Sequence, residues 1–106
     1  MIRHKYGAIR TEYDGISFPS KLEGNYYLYL KQLKAAGEVI QFLRQVPFHL
    51  PGNTRYVVDF MIFWKDGNID FTDVKGKETP EFIKNKKQVE DLYFPITIKV
   101  VKRGEF

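Results

Sequence analysis

The feature that most constrains this chain is an aspartate inside an almost wholly apolar run. Residues 56–64 read Tyr-Val-Val-Asp-Phe-Met-Ile-Phe-Trp, and Asp59 is the only charged residue among them. Such a run of β-branched and aromatic residues is typical of a central strand that is buried on both faces. An unpaired carboxylate in that position loses much of its hydration free energy. The fold must therefore place a compensating partner beside Asp59.

Two candidate partners lie on the next predicted strand. Asp66-Gly67-Asn68 has the composition of a turn, and residues 69–75 read as the returning strand. Asp73 and Lys75 are two residues apart, so their side chains project from the same face of that strand. We therefore expect an acid and a lysine to face Asp59 across this hairpin.

The length of the turn decides whether Asp59 meets these partners. A three-residue loop at positions 66–68 pairs Lys65 with Ile69 and, further along, places Asp59 opposite Lys75. A two-residue loop would move Asp59 to the other face of the sheet. A shared site therefore requires an odd loop or a compensating bulge.

A first helix is predicted from about Ser20 to Ala36. Pro19 ends the preceding segment, and Ser20 to Glu23 has the spacing of a capping box. Gly37 follows where a C-terminal cap belongs. Apolar residues recur at steps of three and four and predict a core-facing stripe: Leu22, Tyr26, Tyr29, Leu30, Leu33 and Ala36. The tyrosines at positions 26, 27 and 29 are accordingly interpreted as core rather than as base-stacking platforms.

The remaining pattern completes an α+β fold with the order α-β-β-β-α-β after an N-terminal hairpin. Turn, cap and strand signals predict the following elements: a hairpin in residues 5–18 around Asp14-Gly15, a strand over residues 39–50 interrupted by Pro47, a helix from Thr79-Pro80-Glu81 to about Tyr93, and a last strand over residues 96–101. We expect a mixed sheet flanked by helices.

Composition limits the domain count and the partners. A chain of 106 residues with 43% hydrophobic content fits one domain, residues 1–106, with residues 1–19 as an N-terminal hairpin or arm. Because there is no cysteine, disulfides and thiolate zinc sites are excluded, and a reducing cytoplasm is expected. No apolar run reaches the roughly 20 residues of a membrane span. Seventeen Lys and Arg against thirteen Asp and Glu permit a polyanionic partner without requiring one.

Two carboxylates and a lysine at one end of a sheet have a clear chemical use. Acids can hold one or two Mg²⁺ ions that polarise a phosphodiester and generate hydroxide, while Lys75 orients or helps deprotonate the attacking water. Glu23 lies at the edge of the helical stripe and can reach the same metals. Two structural alternatives stay open: Glu23 completes the capping box, and Asp59 forms a buried ion pair with Lys75. Asp70, on the other face of its strand, is expected to be solvated.

These residues resemble a known nuclease family. Asp59, followed fourteen positions later by Asp73-Val74-Lys75 and preceded by a helical Glu23, is similar to the PD-(D/E)XK pattern of Holliday-junction resolvases and small phage-type endonucleases. Val58 occupies the position of the family's namesake proline, which is often absent in the family. Asp73 occupies a position where glutamate is also common. A closer likeness is to small phage-encoded proteins of unassigned function that carry Phe-Pro-Ser-Lys-Leu-Glu, Tyr-x-x-Asp-Phe and Asp-Val-Lys-Gly.

The resemblance implies a restriction-endonuclease-like core and Mg²⁺-dependent cleavage of DNA, with Mn²⁺ able to substitute. It implies these roles: Glu23, Asp59, Asp73 and Lys75 as the catalytic cluster; Glu23, Asp59, Asp73 and the Val74 carbonyl as metal ligands; and Lys77, Lys84, Lys87, Gln88, Arg3, Lys5 and Arg10 as DNA contacts. It further implies a homodimer that acts on branched DNA in recombination or phage DNA processing, in a bacterial or phage-infected cytoplasm.

Other readings of the same residues stay open. The enzyme could be a nuclease without structure selectivity, and the chain could instead be a non-catalytic DNA-binding module or a protein-interaction domain whose acids are structural. Lys84 and Lys87 could form an ordinary solvated helix face, and the basic residues of the N-terminal arm could protect an edge strand. His4 and His49 have no metal-ligand spacing and are given no role.

Overall fold

The computed structural model describes residues 2–3 and 9–106. Within these residues the chain forms seven strands and two helices: β1 (Ile2–Arg3), β2 (Ile9–Tyr13), β3 (Ile16–Phe18), α1 (Lys21–Ala35), β4 (Val39–Leu50), β5 (Thr54–Trp64), β6 (Ile69–Val74), α2 (Pro80–Leu92) and β7 (Ile98–Val101). The fold is α+β, and the predicted order of elements is confirmed. Neither described helix has the length and apolar character needed to cross a membrane.

The strands form two sheets. β1, β2 and β3 make an antiparallel sheet, and the predicted turn between β2 and β3 is confirmed at Asp14 and Gly15, whose φ angles are 54° and 75°. β4, β5, β6 and β7 lie side by side in that order in the second sheet. β7 runs parallel to β6 and the other neighbours are antiparallel, so this sheet is mixed.

Both helices begin at the predicted caps. The Ser20 hydroxyl accepts a hydrogen bond from the Glu23 N–H at 3.1 Å, and the Thr79 hydroxyl accepts one from the Phe82 N–H at 3.2 Å. Gly37 follows α1 with a φ of 81°, as expected for a C-terminal cap. The capping of α1 fixes Glu23 in the first turn of the helix, where it faces the large sheet.

The two helices cover different clusters of the core. α1 buries Tyr26, Tyr27 and Leu30, and Tyr26 meets Phe60 of β5 edge to face with the ring centroids 5.4 Å apart. The interpretation of these tyrosines as core residues is confirmed. α2 buries a second group together with β4, β5 and β7: Phe48, Tyr56, Val58, Phe82, Val89 and Ile98.

β5 changes its packing face halfway along its length. Alternate residues of a regular strand point to the same face, so residues 56, 58, 60 and 62 should share one partner. Phe60 and Ile62 instead belong to the cluster under α1, whereas Tyr56 and Val58 belong to the cluster with α2. Asp59 lies at the point of change.

The same reversal occurs on the neighbouring strand. Phe42 of β4 packs with the α1 cluster, and Phe48 packs with the α2 cluster. Between them, Gln45 has a φ of 56°, a left-handed conformation that costs a non-glycine residue free energy. The register pairs Arg44 with Phe60 and Val46 with Val58, so this residue lies across from Asp59. Beside Asp59, β4 and β5 therefore both change from packing with the α1 cluster to packing with the α2 cluster.

Replacing Gln45 with glycine tests the backbone reversal. Glycine adopts the left-handed conformation without the penalty of about 1–2 kcal/mol that other residues incur, but it also loses entropy on folding. We expect Gln45→Gly to leave the free energy of unfolding unchanged or to raise it by up to about 1 kcal/mol.

The matched control is Gln41→Gly, which changes an exposed glutamine on the same strand. We expect it to lower the free energy of unfolding by about 1 kcal/mol or more, because glycine weakens a strand position and the substitution removes the hydrogen bonds that Gln41 Oε1 accepts from Lys34 Nζ and the Phe42 N–H. Urea denaturation measures both. Equal losses for the two variants would contradict the left-handed conformation at Gln45.

Candidate functional site

The loop between β5 and β6 has three residues, as predicted, but it begins one residue earlier than predicted. The Trp64 N–H donates to the Asn68 carbonyl at 2.9 Å, so the three-residue loop is 65–67 rather than 66–68. Gly67 has a φ of 92° at the last loop position, where a left-handed residue is needed, and Asp66 accepts from the Asn68 N–H at 2.9 Å. The position of the glycine therefore sets the loop.

The predicted pairing of Asp59 with Lys75 is wrong. The ladder pairs Phe63 with Ile69 and Phe60 with Thr72, not Lys65 with Ile69. One step further, this register places Asp59 beside Asp73. The requirement for a loop with an odd number of residues is confirmed. Because the loop begins one residue early, however, Asp59 faces the carboxylate of Asp73 rather than Lys75.

β5 and β6 separate at the two aspartates. Beyond the pair Phe60 and Thr72, the Asp59 N–H donates to Asp73 Oδ1 at 2.9 Å, and the Val74 N–H donates to Asp59 Oδ2 at 2.9 Å. Two carboxylates thus accept hydrogen bonds that carbonyl groups accept in a regular ladder. The Val74 N–H therefore supplies part of the compensation that the sequence requires for Asp59.

Tyr56 completes the hydrogen bonding of Asp73. Its hydroxyl donates to Asp73 Oδ2, and both side chains are buried. Burial and this carboxylate together raise the pKa of Tyr56. Tyr56 was not predicted as a site residue, because a tyrosine in an apolar strand is typical of the core. The reversal of β5 that turns it toward Asp73 has no sequence signal that we recognise.

Glu23 approaches the same cluster from α1. The residue is 4% exposed, and its Oε2 lies 3.8 Å from Nη2 of Arg44 on β4. Burial raises the pKa of Glu23, against the opposing effects of the Arg44 charge and a hydrogen bond with the Asp59 carboxyl. When both acids are ionised, Glu23 Oε2 has no hydrogen-bond donor within the part of the chain that the structure describes. Arg44 was not predicted as a site residue either.

The proximity of the three acids disfavours ionisation of all of them at once. Burial, followed by the charges of Glu23 and Asp73, raises the pKa of Asp59 to about 8, although the Val74 N–H and Lys75 act in the opposite direction. The cluster therefore retains a proton near neutral pH in the metal-free protein. Lys75 does not neutralise it by a direct contact, since none of the ion pairs between described residues joins Lys75 to Asp59.

Lys75 lies at the edge of an open pocket next to the cluster. Its Nζ is 4.8 Å from the centre of the Phe82 ring, and its backbone N–H donates to the Val101 carbonyl at 3.0 Å. The pocket has a volume of about 240 Å³ and is lined by Tyr56, Lys75, Thr79, Glu81, Phe82 and Asn85. Lys75 thus meets solvent in a pocket that it shares with Tyr56, the hydrogen-bond donor to Asp73.

The acids offer the oxygen ligands that Mg²⁺ and Mn²⁺ prefer. Across residues 2–3 and 9–106, no set of three or more His, Asp or Glu side chains is already arranged as a metal-binding cluster. Two observations fit a hard cation here. Glu23 Oε2 is buried and has no donor among the described residues when Asp59 is ionised, and burial together with the charges of Glu23 and Asp73 raises the pKa of Asp59. Each aspartate also keeps lone pairs that its hydrogen bonds leave unused.

The predicted DNA contacts on α2 and the preceding loop lie at the surface. Exposed side chains are presented by Lys77, Lys84, Lys87 and Gln88. Lys84 and Gln88 follow the pocket-lining Glu81 and Asn85 at helical spacing, so they lie nearer the site than Lys87 does. Lys86, which is not among the predicted DNA contacts, forms an ion pair with Glu90 at 3.1 Å.

The residues of the N-terminal arm do not join this group in the described part of the chain. Arg10 donates a hydrogen bond to the Ser17 hydroxyl at 2.9 Å across the small sheet. Lys5, His4 and the side chain of Arg3 lie outside the described residues. Their predicted contacts with DNA stay predictions.

The expectation that Asp70 is solvated is wrong. Its Oδ2 accepts hydrogen bonds from Trp64 Nε1 at 2.8 Å and from Lys99 Nζ at 2.9 Å, and its side chain is only 19% exposed. The indole and the lysine come from the two strands that flank β6, which the sequence alone does not place beside it. Asp70 is therefore a structural acid on the same strand as Asp73.

The fold and the site define a small α+β protein with three converging acids and a lysine. A family model described as "Protein of unknown function (DUF1064)" matches residues 3–105, and the chain belongs to that family. No curated protein and no solved structure matches the chain.

The raised pKa of Asp59 predicts how stability depends on pH in the metal-free protein. The unfolded chain loses the Asp59 proton near pH 3.8, whereas the folded chain keeps it to about pH 8. This contribution to stability is fully present below the unfolded pKa and is lost as the pH rises through the folded pKa. In EDTA, the free energy of unfolding should therefore fall between about pH 4 and pH 8.

Urea denaturation at several pH values in this interval measures the effect. Asp59→Asn should flatten the decline, because an amide carries no titrating proton. Asp91→Asn is the control, since it changes an exposed aspartate on α2. The same decline in the wild type and in Asp59→Asn would contradict the charge balance described for the cluster.

Proposed function

We propose that this protein is a divalent-metal-dependent DNA endonuclease that hydrolyses phosphodiester bonds. The observation that carries the proposal is the convergence of buried Glu23 and Asp73 with partly buried Asp59 where β5 and β6 separate, with Lys75 beside them. When Asp59 is ionised, the buried Glu23 Oε2 has no donor among the described residues, which distinguishes this cluster from an ordinary hydrogen-bonded group of acids. The similarity of the residue spacing to PD-(D/E)XK nucleases supports the same conclusion.

The three acids are the proposed ligands of Mg²⁺ or Mn²⁺, together with the Val74 carbonyl. When bound, the cation supplies Lewis-acid polarisation of the phosphate and promotes ionisation of the attacking water. The protein contributes the placement of the ligands: backbone N–H groups hold Asp59 and Asp73, and the Tyr56 hydroxyl holds the second oxygen of Asp73. Fixed ligands of this kind limit the reorganisation that binding requires.

Lys75 is proposed to act on the water and on the phosphate. Its position over the Phe82 ring restrains the side chain, and its partial exposure leaves the ammonium group open to the pocket. An ammonium group there can orient the attacking water and offset the negative charge that develops at phosphorus. Because Lys75 has no ion pair with the acids, its charge stays free for this role.

The substrate and the assembly are proposed from the charge of the chain and from the resemblance. A net charge of +4 and the exposed lysines of α2 suit a polyanion such as DNA. Selectivity for branched DNA and a homodimer follow from the resemblance, since two symmetric active sites suit paired cuts in a junction. Cleavage of plain duplex or single strands at the same rate as a four-way junction would support a nuclease without structure selectivity.

Asp73→Asn tests the proposed chemistry. We expect it to reduce the rate of Mg²⁺-dependent cleavage of a labelled DNA junction by about a hundredfold or more, because it removes a charged ligand worth several kcal/mol in the transition state. Gel electrophoresis of the products measures the rate, and EDTA should abolish it. Circular dichroism checks that the variant is folded.

Asp70→Asn is the matched control on the same strand. It alters an acid bound to Trp64 and Lys99, so it should lower stability while it leaves the rate for the folded protein within about threefold of wild type. DNA binding without cleavage under Mg²⁺ or Mn²⁺ would reject the enzyme and favour a non-catalytic DNA-binding module.

Lys75→Met separates the lysine from the acids. Methionine preserves contact with Phe82 and removes the charge, so we expect cleavage to fall by about a hundredfold while Mn²⁺ still binds. Lys65→Met removes an exposed lysine at the β5–β6 turn that pairs with Glu38, and it should change cleavage by less than about threefold. Equal activities of the two variants would show that Lys75 has no part in the reaction.

A further inference from the structure

Arg44 lies at the edge of the acid cluster without the hydrogen bonds that a largely buried guanidinium requires. It is on β4, opposite Phe60, and its side chain is 23% exposed. Its Nε is buried and has no acceptor among the described residues. Buried donors are nearly always paired, so one that is not requires an explanation.

The neighbouring carboxylate does not satisfy this arginine. Nη2 of Arg44 is 3.8 Å from Glu23 Oε2, whereas a charge-assisted hydrogen bond closes to about 2.7–2.9 Å. Both groups therefore keep unused capacity, since Glu23 Oε2 lacks a donor as well. The ligands that would satisfy them have opposite charges: a cation for Glu23 and an anion for Arg44.

An aromatic ring holds the guanidinium in place. Its central carbon lies 4.5 Å from the centre of the Phe18 ring, and Phe18 is fully buried beneath α1. Stacking restrains the planar group and leaves its donors available, and the fork of an arginine matches the oxygens of a phosphate. The part of the side chain that remains exposed can therefore meet an anion next to the acids.

We propose that Arg44 binds a non-bridging phosphate oxygen of the DNA substrate, on the Glu23 side of the acid cluster. This inference rests on the proposed nuclease function and adds a substrate-binding residue to it. With a cation bound at the acids, Glu23 would attract Arg44 less strongly, and the exposed donors of the guanidinium would be open to a phosphate oxygen. Binding of DNA through Arg44 should therefore depend on the divalent cation.

The test compares DNA affinity with and without a cation. Fluorescence anisotropy of a labelled junction is measured in Ca²⁺, which takes the same oxygen ligands as Mg²⁺, and in EDTA. Arg44→Met should weaken binding about tenfold in Ca²⁺ and less than about twofold in EDTA. Arg44→Lys keeps the charge without the fork, so it should recover part of the loss.

Arg55→Met is the matched control, because it removes an exposed arginine near the tip of the β4–β5 hairpin. It measures the general effect of losing one positive charge and should weaken binding to the same small extent in Ca²⁺ and in EDTA. Equal losses for Arg44→Met and Arg55→Met in Ca²⁺ would overturn the proposal. If Arg44→Met fails to fold, Arg44→Lys and Arg55→Lys are compared instead.

A Mn²⁺ titration followed by electron paramagnetic resonance excludes an indirect role. Loss of a neighbouring positive charge should leave Mn²⁺ affinity unchanged or raise it. Weaker Mn²⁺ binding by Arg44→Met would mean that Arg44 acts by positioning Glu23, and it would overturn the phosphate contact. Wild-type protein that neither binds Mn²⁺ nor cleaves DNA overturns the proposed function itself, whereas active wild type with no specific Arg44 effect overturns only this proposal.

Discussion

Two reciprocal hydrogen bonds between β5 and β6 determine the geometry of the whole site. The Asp59 N–H donates to Asp73, and the Val74 N–H donates to Asp59, so each carboxylate substitutes for a carbonyl of the sheet. The strands can separate there without leaving these N–H groups unpaired, which would be costly in a buried sheet. The same contacts hold both acids in fixed positions at the opening.

The cost of burying several acids together explains the remaining features of the cluster. Glu23 comes from a capped helix and Tyr56 from the reversed half of β5, and both lie within reach of the two aspartates. Hydrogen bonds satisfy part of each aspartate, but burial and the repulsion from Glu23 and Asp73 remain and raise the pKa of Asp59. A divalent cation offsets this repulsion more fully than a single lysine can, since it brings two charges and accepts several oxygens. The proposed metal site therefore follows from the electrostatics as well as from the residue spacing.

Local signals in the sequence predicted most of the fold and the identity of the acids. The caps at Ser20 and Thr79, and the interruption of an apolar strand by Asp59, each have a physical cause within a few residues. The pairing of β5 with β6 could not be predicted to the residue, because it depends on which loop position Gly67 occupies. Tyr56 and Arg44 were missed because both depend on contacts between distant segments, and a left-handed glutamine on β4 does not differ in sequence from an ordinary one.

Anomalous X-ray diffraction from crystals soaked in Mn²⁺ would test the central claim most directly. The acid cluster should show a Mn²⁺ peak about 2.1–2.3 Å from carboxylate oxygens of Asp59 and Asp73, with Glu23 directly bound or one water away. Asp73→Asn crystals should lack this peak. Fully soaked crystals with Mn²⁺ only elsewhere on the surface, and with the two aspartates still held by Val74 and Tyr56, would contradict the account and leave the cluster as a structural element of the sheet.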